Sequence, residues 1–164
     1  ADAITLAGTA LGSLYPLIAA TKQLTHHMFK DDIGSTKHYI GLQEADAEET
    51  VSSKKNLPLL APVAGKLLKV FLRANSDLSG DQLTWRLETR ASSASTFGSP
   101  SIIGTLAGAG CTASSMTTYD FTEVDSNVIT AGDQVLLSVQ SDDAGSDNTN
   151  DTHLITCLWE WDFS

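Results

Sequence analysis

Residues 128–164, VITAGDQVLLSVQSDDAGSDNTNDTHLITCLWEWDFS, show the pattern of two strands joined by a long polar loop. In the first strand Val135, Leu137 and Val139 alternate with polar residues. An alternation of apolar and polar residues with period two is typical of a half-buried strand. The last strand repeats the pattern with larger side chains, and its predicted inward face is Ile155, Cys157, Trp159, Trp161 and Phe163. The closing hairpin is therefore predicted to anchor the last strand in a hydrophobic core.

The rest of the chain supplies further strands of the same kind. Leu83, Trp85 and Leu87 give the clearest alternation, and residues 66–74 predict a strand with Leu68 and Val70 facing inward. Weaker patterns cover residues 37–42, 102–106 and 116–121. About eight strands follow one another at intervals of 10–15 residues, without amphipathic helices between them. This spacing predicts an all-β, antiparallel sandwich.

The first 33 residues differ from the remainder because they lack strong alternation and contain few large apolar side chains. We interpret residues 1–33 as an N-terminal arm and residues 34–164 as one β domain. A short helix, indicated by Leu14, Leu17, Ile18 and Leu24, is predicted from about Pro16, since proline suits the first turn of a helix. The arm is expected to dock on the domain or on a neighbouring molecule.

Charge is unevenly distributed along the chain. All ten Lys and Arg residues lie between Lys22 and Arg90, whereas residues 91–164 contain ten acidic residues and no Lys or Arg. Such a surface repels phosphate, so nucleic acid and anionic lipid are not expected partners. No apolar run reaches the length of about 18 residues that a membrane-spanning helix needs. Solubility, a basic partner or a need for cations remain open explanations of the acidic half.

No catalytic or cofactor-binding motif is recognisable, and we predict no enzyme activity, no cofactor and no metal centre. His26 and His27 have no third ligand at a useful spacing. The tryptophans around Glu160 share a face with core residues, which favours packing over a sugar-binding platform. Cys111 and Cys157 are predicted to be two buried thiols rather than a disulfide. The loop 141–151 is rich in oxygen ligands, so a solvated loop and a calcium site both stay open.

Two phrases resemble a known group of proteins. Residues 62–70, PVAGKLLKV, are similar to the P-x-A-G-x-hydrophobic start of a strand in virion proteins of tailed bacteriophages, marine cyanophages among them. Residues 131–135, AGDQV, and residues 159–162, WEWD, resemble the last two strands of the same group. The resemblance covers residues 37–164 and implies a jelly-roll domain like that of C1q and tumour necrosis factor.

The resemblance implies a virion structural protein that acts by assembly rather than catalysis. A capsid decoration (cement) protein on the outer surface of the head would bind the major capsid protein, usually as a homotrimer. The alternative is a tail fibre or knob module that binds a receptor or glycan. We favour decoration because the chain is one short domain with an apolar, glycine-rich arm. The expected interface anchors are Leu14, Tyr15, Leu17, Ile18 and Phe29.

Overall fold

The computed structural model describes residues 5–6, 9–10, 20–30, 32–42, 58–91, 100–143 and 151–163. Within these residues the protein contains strands and no helix. No helix in this part of the chain is long and apolar enough to span a membrane. The strands are β1 (Thr5–Leu6), β2 (Thr9–Ala10), β3 (Ala20–Lys30), β4 (His38–Ile40), β5 (Leu59–Leu60), β6 (Gly65–Ala74), β7 (Gln82–Arg90), β8 (Ser101–Ala109), β9 (Met116–Asp120), β10 (Gln134–Ser141) and β11 (Thr152–Asp162).

Nine of these strands form two antiparallel sheets. The four-stranded sheet has the order β3-β11-β6-β9, and the five-stranded sheet has the order β4-β10-β7-β8 with β5 also paired to β10. The chain passes repeatedly from one sheet to the other, so hydrogen-bonded neighbours are mostly distant in sequence. The protein is therefore an all-β jelly-roll sandwich, as predicted, with nine strands rather than about eight.

Strand β3 is the main addition to the predicted architecture. Residues 20–30 were interpreted as part of the arm, but they pair along their whole length with β11, from Lys30 opposite Thr152 to Ala20 opposite Asp162. Leu24, which the sequence suggested as part of the short helix, lies in this strand. The predicted start of that helix near Pro16 lies outside the described residues.

The core confirms the alternation of the two closing strands, with one exception, but the predicted hairpin is wrong because β10 and β11 belong to different sheets. Trp159 and Trp161 are buried and stacked with ring centroids 5.8 Å apart. Their indole N–H groups donate to Thr25 Oγ1 at 2.9 Å and Gln23 Oε1 at 2.8 Å. The prediction for Phe163 is wrong, because this residue follows the end of β11 and is 53% exposed. Among the described residues, no strand pairs with the chain beyond Asp162.

A bulge in β6 changes which leucine faces the core. The pairing with β11 shifts so that Leu158 is opposite Lys69 whereas Trp159 is opposite Leu67. The extra residue is Leu68, and Leu67 takes the core position that simple alternation assigned to Leu68. The buried Asn127 side chain is bonded to both backbone groups of Leu67.

Both cysteines are free and buried, as predicted. Burial raises the pKa of Cys157 to about 12, although a hydrogen bond with Thr25 acts in the opposite direction. A thiol with such a pKa carries almost no thiolate near neutral pH, so Cys157 is a packing residue.

Candidate protein-interaction face

The outer surface of the four-stranded sheet exposes a cluster of apolar side chains, which we call the apolar face. Leu24 is 54% exposed, Met116 65% and Leu154 45%, and these are three of the seven large hydrophobic residues that the described chain exposes. Three partly buried side chains lie on the same face. The apolar face consists of Leu24, Met28, Phe71, Met116, Leu154 and Leu158. Exposed apolar clusters are typical of interaction sites, and here the polar residues His26, Thr156 and Arg73 lie between the apolar side chains.

Strand register brings these residues together from all four strands. On β11, Leu154 lies opposite Met28 of β3 and Arg73 of β6, and Arg73 lies opposite Met116 of β9. Residues directly opposite one another on antiparallel strands have Cβ atoms about 4.5–5.5 Å apart. Side chains that are more than 100 residues apart in sequence, such as Leu24 and Leu158, therefore form one surface.

Cationic side chains surround the apolar face. The same outer surface of the four-stranded sheet also carries Lys22, Lys30, Lys66, Lys69 and Arg73. Two of the lysines are paired, Lys66 with Glu160 and Lys69 with Asp120, each at 3.0 Å. Hydrogen bonds from Thr122, together with Lys69, lower the pKa of Asp120 to about 2. These exposed pairs each contribute little stability, so the cations remain available to a partner.

The outer surface of the four-stranded sheet, which carries the apolar face, has a net positive charge, whereas the whole chain is negatively charged. Its five cations outnumber the three carboxylates of Asp120, Glu160 and Asp162, a formal +2 on a chain of formal −10. The remainder of the chain therefore carries a formal −12. Electrostatics disfavours contact between two such faces and favours contact between this face and an acidic surface.

A buried hydrogen-bond chain supports the edge of the apolar face at His27. The Nδ1 atom lies 3.1 Å from Gly41 O and must donate, so Nε2 accepts from Thr25 Oγ1 at 2.8 Å. Thr25 Oγ1 in turn accepts from the Trp159 indole. Burial lowers the pKa of His27, the bond to Gly41 opposes this effect, and repulsion from His26 adds to it. The neutral imidazole is thus the form that fits the fold.

We expect folding stability to fall as the pH drops below about 6.5. Because the pKa of His27 is lower in the folded protein, the unfolded chain binds the proton first. The contribution is complete above the unfolded-state pKa and is lost as the pH approaches the folded-state value. Urea unfolding at several pH values measures this contribution to the free energy of unfolding. His27→Gln should show a weaker pH dependence than wild type, whereas His26→Gln, which removes only the smallest of the three effects on the His27 pKa, should keep most of it; equal curves for His27→Gln and wild type would contradict this role.

The outer surface of the five-stranded sheet holds a buried carboxylate. Glu88 is 0% exposed and accepts hydrogen bonds from Lys37 Nζ at 3.0 Å, Tyr39 OH at 3.0 Å and Ser138 Oγ at 2.8 Å. Burial alone would lower the pKa of Lys37, but its interactions with Tyr39 and Glu88 outweigh burial and raise it. Every partner of Glu88 is a donor, so this cluster fixes β4 against β7 and β10.

Glu88→Gln should lower the free energy of unfolding by about 2–3 kcal/mol, since removing one partner of a buried ion pair leaves the others unsatisfied. This loss lies at the lower end of the range that is usual for broken buried ion pairs, because the Lys37 side chain is 34% exposed. Urea denaturation measures the loss, with the exposed Glu123→Gln as the matched control. A Glu88→Gln protein as stable as the control would show that the cluster is not structural.

The structure describes only one of the five predicted anchors, Phe29. Leu14, Tyr15, Leu17 and Ile18 lie outside the described residues. Phe29 belongs to the core at 1% exposure, and its ring stacks on His153 with a centroid distance of 5.6 Å. It faces inward because odd-numbered positions of β3 point between the sheets. Phe29 is therefore not a surface anchor in this structure.

The sequence of β11 contains a pattern that indicates the apolar face. Leu154 and Leu158 occupy outward positions of that strand, so both of its faces carry apolar residues. A strand that is apolar on both sides is typical of a sheet covered on both sides. Only the inward set was used to predict the fold.

Carboxylates gather at one end of the sandwich. Burial, followed by repulsion from Asp143, raises the pKa of Asp81, and Asp142 and Asp77 add to the repulsion. Among the described residues no group of three or more His, Cys, Asp or Glu side chains is arranged to hold a metal ion. Residues 144–150, the centre of the loop for which calcium was considered, lie outside the described residues, so that question stays open.

Comparisons with known proteins give only distant structural likenesses. No family model and no curated protein matches the chain. A chain of the acidic stable capsid structure of Helicobacter pylori bacteriophage KHP30 is 13% identical, with a TM-score of 0.39 and coverage of 88% of this chain and 99% of that one. Eiger TNF from S. frugiperda is 15% identical, with a TM-score of 0.37 and coverage of 87% and 93%.

The cyanophage Pam1 capsid asymmetric unit contains a third similar chain. It is 11% identical, with a TM-score of 0.35 and coverage of 98% of this chain and 99% of that one. Proteins from phage capsids and a TNF protein are thus among the structural neighbours. No functional conclusion follows from likenesses at this level.

Proposed function

We propose that this protein is a non-enzymatic virion structural protein, a capsid decoration protein that binds and stabilises the phage head as a homotrimer. The observation that carries the proposal is the apolar face. A small sandwich that already has a full core gains nothing by itself from six further apolar side chains on one outer surface. Their burial against another molecule would contribute about 25 cal/mol per Å² of apolar area.

The charge around the apolar face favours a closed ring of copies and disfavours a two-fold dimer. A two-fold dimer through this face would bring two positive surfaces together, whereas a head-to-tail contact places the face against the acidic remainder of the next copy. Head-to-tail contacts generate rings when the rotation closes. We propose three copies per ring.

The arm supplies the contact with the major capsid protein in this proposal. Leu14, Tyr15, Leu17 and Ile18 remain the proposed anchors, and Phe29 is withdrawn because it belongs to the core. The sequence from Ala3 to Thr21 contains no charged residue, which suits burial in a partner. The apolar face thus joins copies to each other, and the arm joins the ring to the shell.

Binding to purified phage particles that lack this protein tests the proposal. The protein should co-sediment with heads and raise the temperature at which they release DNA, while isolated tails should bind none. A variant with Leu14, Leu17 and Ile18 changed to serine should lose head binding and keep its unfolding midpoint. Binding to tails and not heads would overturn the decoration proposal and favour the receptor-binding alternative.

A further inference from the structure

Strand β8 forms an edge of the five-stranded sheet and carries no charged side chain or proline, although its pairing with β7 is interrupted by a bulge at Ile103. Among the described strands it pairs only with β7. Natural edge strands are commonly protected by charged side chains or proline. Residues 101–109 contain neither, and no charged residue occurs anywhere between Arg90 and Asp120.

The register identifies the backbone groups that face this free edge. Gly110 N donates to Asp81 O at 2.9 Å, one residue beyond the pair formed by Gln82 and Ala109. In an antiparallel ladder, hydrogen-bonded and non-hydrogen-bonded pairs alternate. Backbone groups of Leu106 and Gly108 therefore point towards β7, and those at the intervening positions point away.

The outward-pointing positions are Thr105, Ala107 and Ala109. The Ala109 carbonyl accepts a hydrogen bond from Tyr119 OH at 2.8 Å. No bond from the described part of the chain reaches the backbone groups of Thr105 or Ala107. Their side chains are small, uncharged and exposed, so these two residues themselves present no bulky or charged side chain to an added strand.

The same chain carries a short pair of strands that belongs to neither sheet. Strands β1 and β2 pair only with each other, with Thr5 opposite Ala10 and Leu6 opposite Thr9. A two-stranded ribbon in water is marginally stable even when it is longer than this one, and a third strand is what it needs. This segment is also uncharged, so it matches the β8 edge in chemistry.

We propose that the β1–β2 pair of one copy adds to the β8 edge of a second copy by β-augmentation. Main-chain hydrogen bonds to Thr105 and Ala107 would provide the attachment, as in other strand-addition contacts. A second copy is the occupant because β8 and the β1–β2 pair do not join within one chain. The inference rests on the self-association in the proposed function, but it does not use the apolar face.

Cross-linking between two different variants tests the exchange directly. Thr9→Cys and Ala107→Cys proteins are purified separately, mixed and oxidised, so that a disulfide between positions 9 and 107 can form only between copies. Cys111 and Cys157 are buried and stay unreactive. Thr5→Cys is tested against Ala107→Cys in the same way. The matched control uses Gly80→Cys, in the open turn before β7, in place of the Ala107→Cys protein.

The mixed dimer of position 107 with position 5 or 9 should exceed the position 80 control by about ten-fold, as expected for paired strands. Equal yields from positions 107 and 80, or no mixed dimer, would overturn the proposal. Amide exchange at Thr105 and Ala107 gives a second readout in the full chain. Their exchange should be slow in the oligomer and fast in a Leu6→Pro variant; slow exchange in that variant would show that another strand occupies β8.

These outcomes separate this inference from the proposed function. If the cross-link forms but the protein does not bind heads, the strand-exchange proposal stands and the decoration proposal is refuted. A protein that decorates heads but gives no cross-link would retain decoration and refute strand exchange.

Discussion

Replacing both Leu24 and Leu154 with glutamine should convert the proposed oligomer to a monomer at micromolar concentration. The two side chains are about half exposed in the single chain and are expected to be buried between copies. Losing them should cost about 3 kcal/mol per contact, on the order of a hundred-fold in the dissociation constant. Sedimentation equilibrium over a range of concentrations measures the change.

Leu60→Gln is the matched control for this variant. Leu60 is 56% exposed, similar to Leu24, but it lies on β5 opposite Gln134, in the other sheet. Leu60→Gln should remain oligomeric, and both proteins should keep the wild-type unfolding midpoint. Equal dissociation of the two variants would show that the effect is general, and no dissociation of either would remove the apolar face from the interface.

Gly65→Ala should be among the most destabilising small substitutions in the chain. A Cβ atom at position 65 would overlap Cε3 of the Trp161 ring and lie 2.6 Å from Glu160 O. One obstacle is backbone and the other is a buried indole stacked on Trp159, so neither can move cheaply. Overpacking of this kind should lower the free energy of unfolding by about 3 kcal/mol, measured by urea denaturation.

Gly80→Ala provides the comparison. An added Cβ at position 80 meets no atom within 4 Å. Its free energy of unfolding should stay within about 0.5 kcal/mol of wild type. A Gly65→Ala protein as stable as Gly80→Ala would mean that β6 and Trp161 are not packed as described.

The inward faces of the strands were predictable from sequence because alternation reports burial directly. Leu83, Trp85 and Leu87 are all 0% exposed, as predicted. Strand β3 was missed because it carries adjacent polar residues and only one inward apolar side chain, Phe29 near its end. Its strand conformation depends on pairing with β11, a partner more than 100 residues away. Local pattern does not contain that information.

The candidate face was harder to predict than the core. Leu24, Met116 and Leu154 are isolated apolar residues in sequence, and only the strand order β3-β11-β6-β9 makes them neighbours. Glu88 gave no local signal either, because its partners Lys37, Tyr39 and Ser138 come from two other segments. Sequence alternation identifies which side chains point inward, whereas a surface assembled from four strands requires the topology.

Electron cryo-microscopy of phage particles that carry this protein tests the central claim most directly. We predict three-fold clusters of sandwiches on the outer surface of the head, with Leu24, Met116 and Leu154 buried between copies. Density for the protein at the tail would contradict the decoration role. Clusters on the head in which the outer surface of the four-stranded sheet faces solvent would contradict the assigned interface.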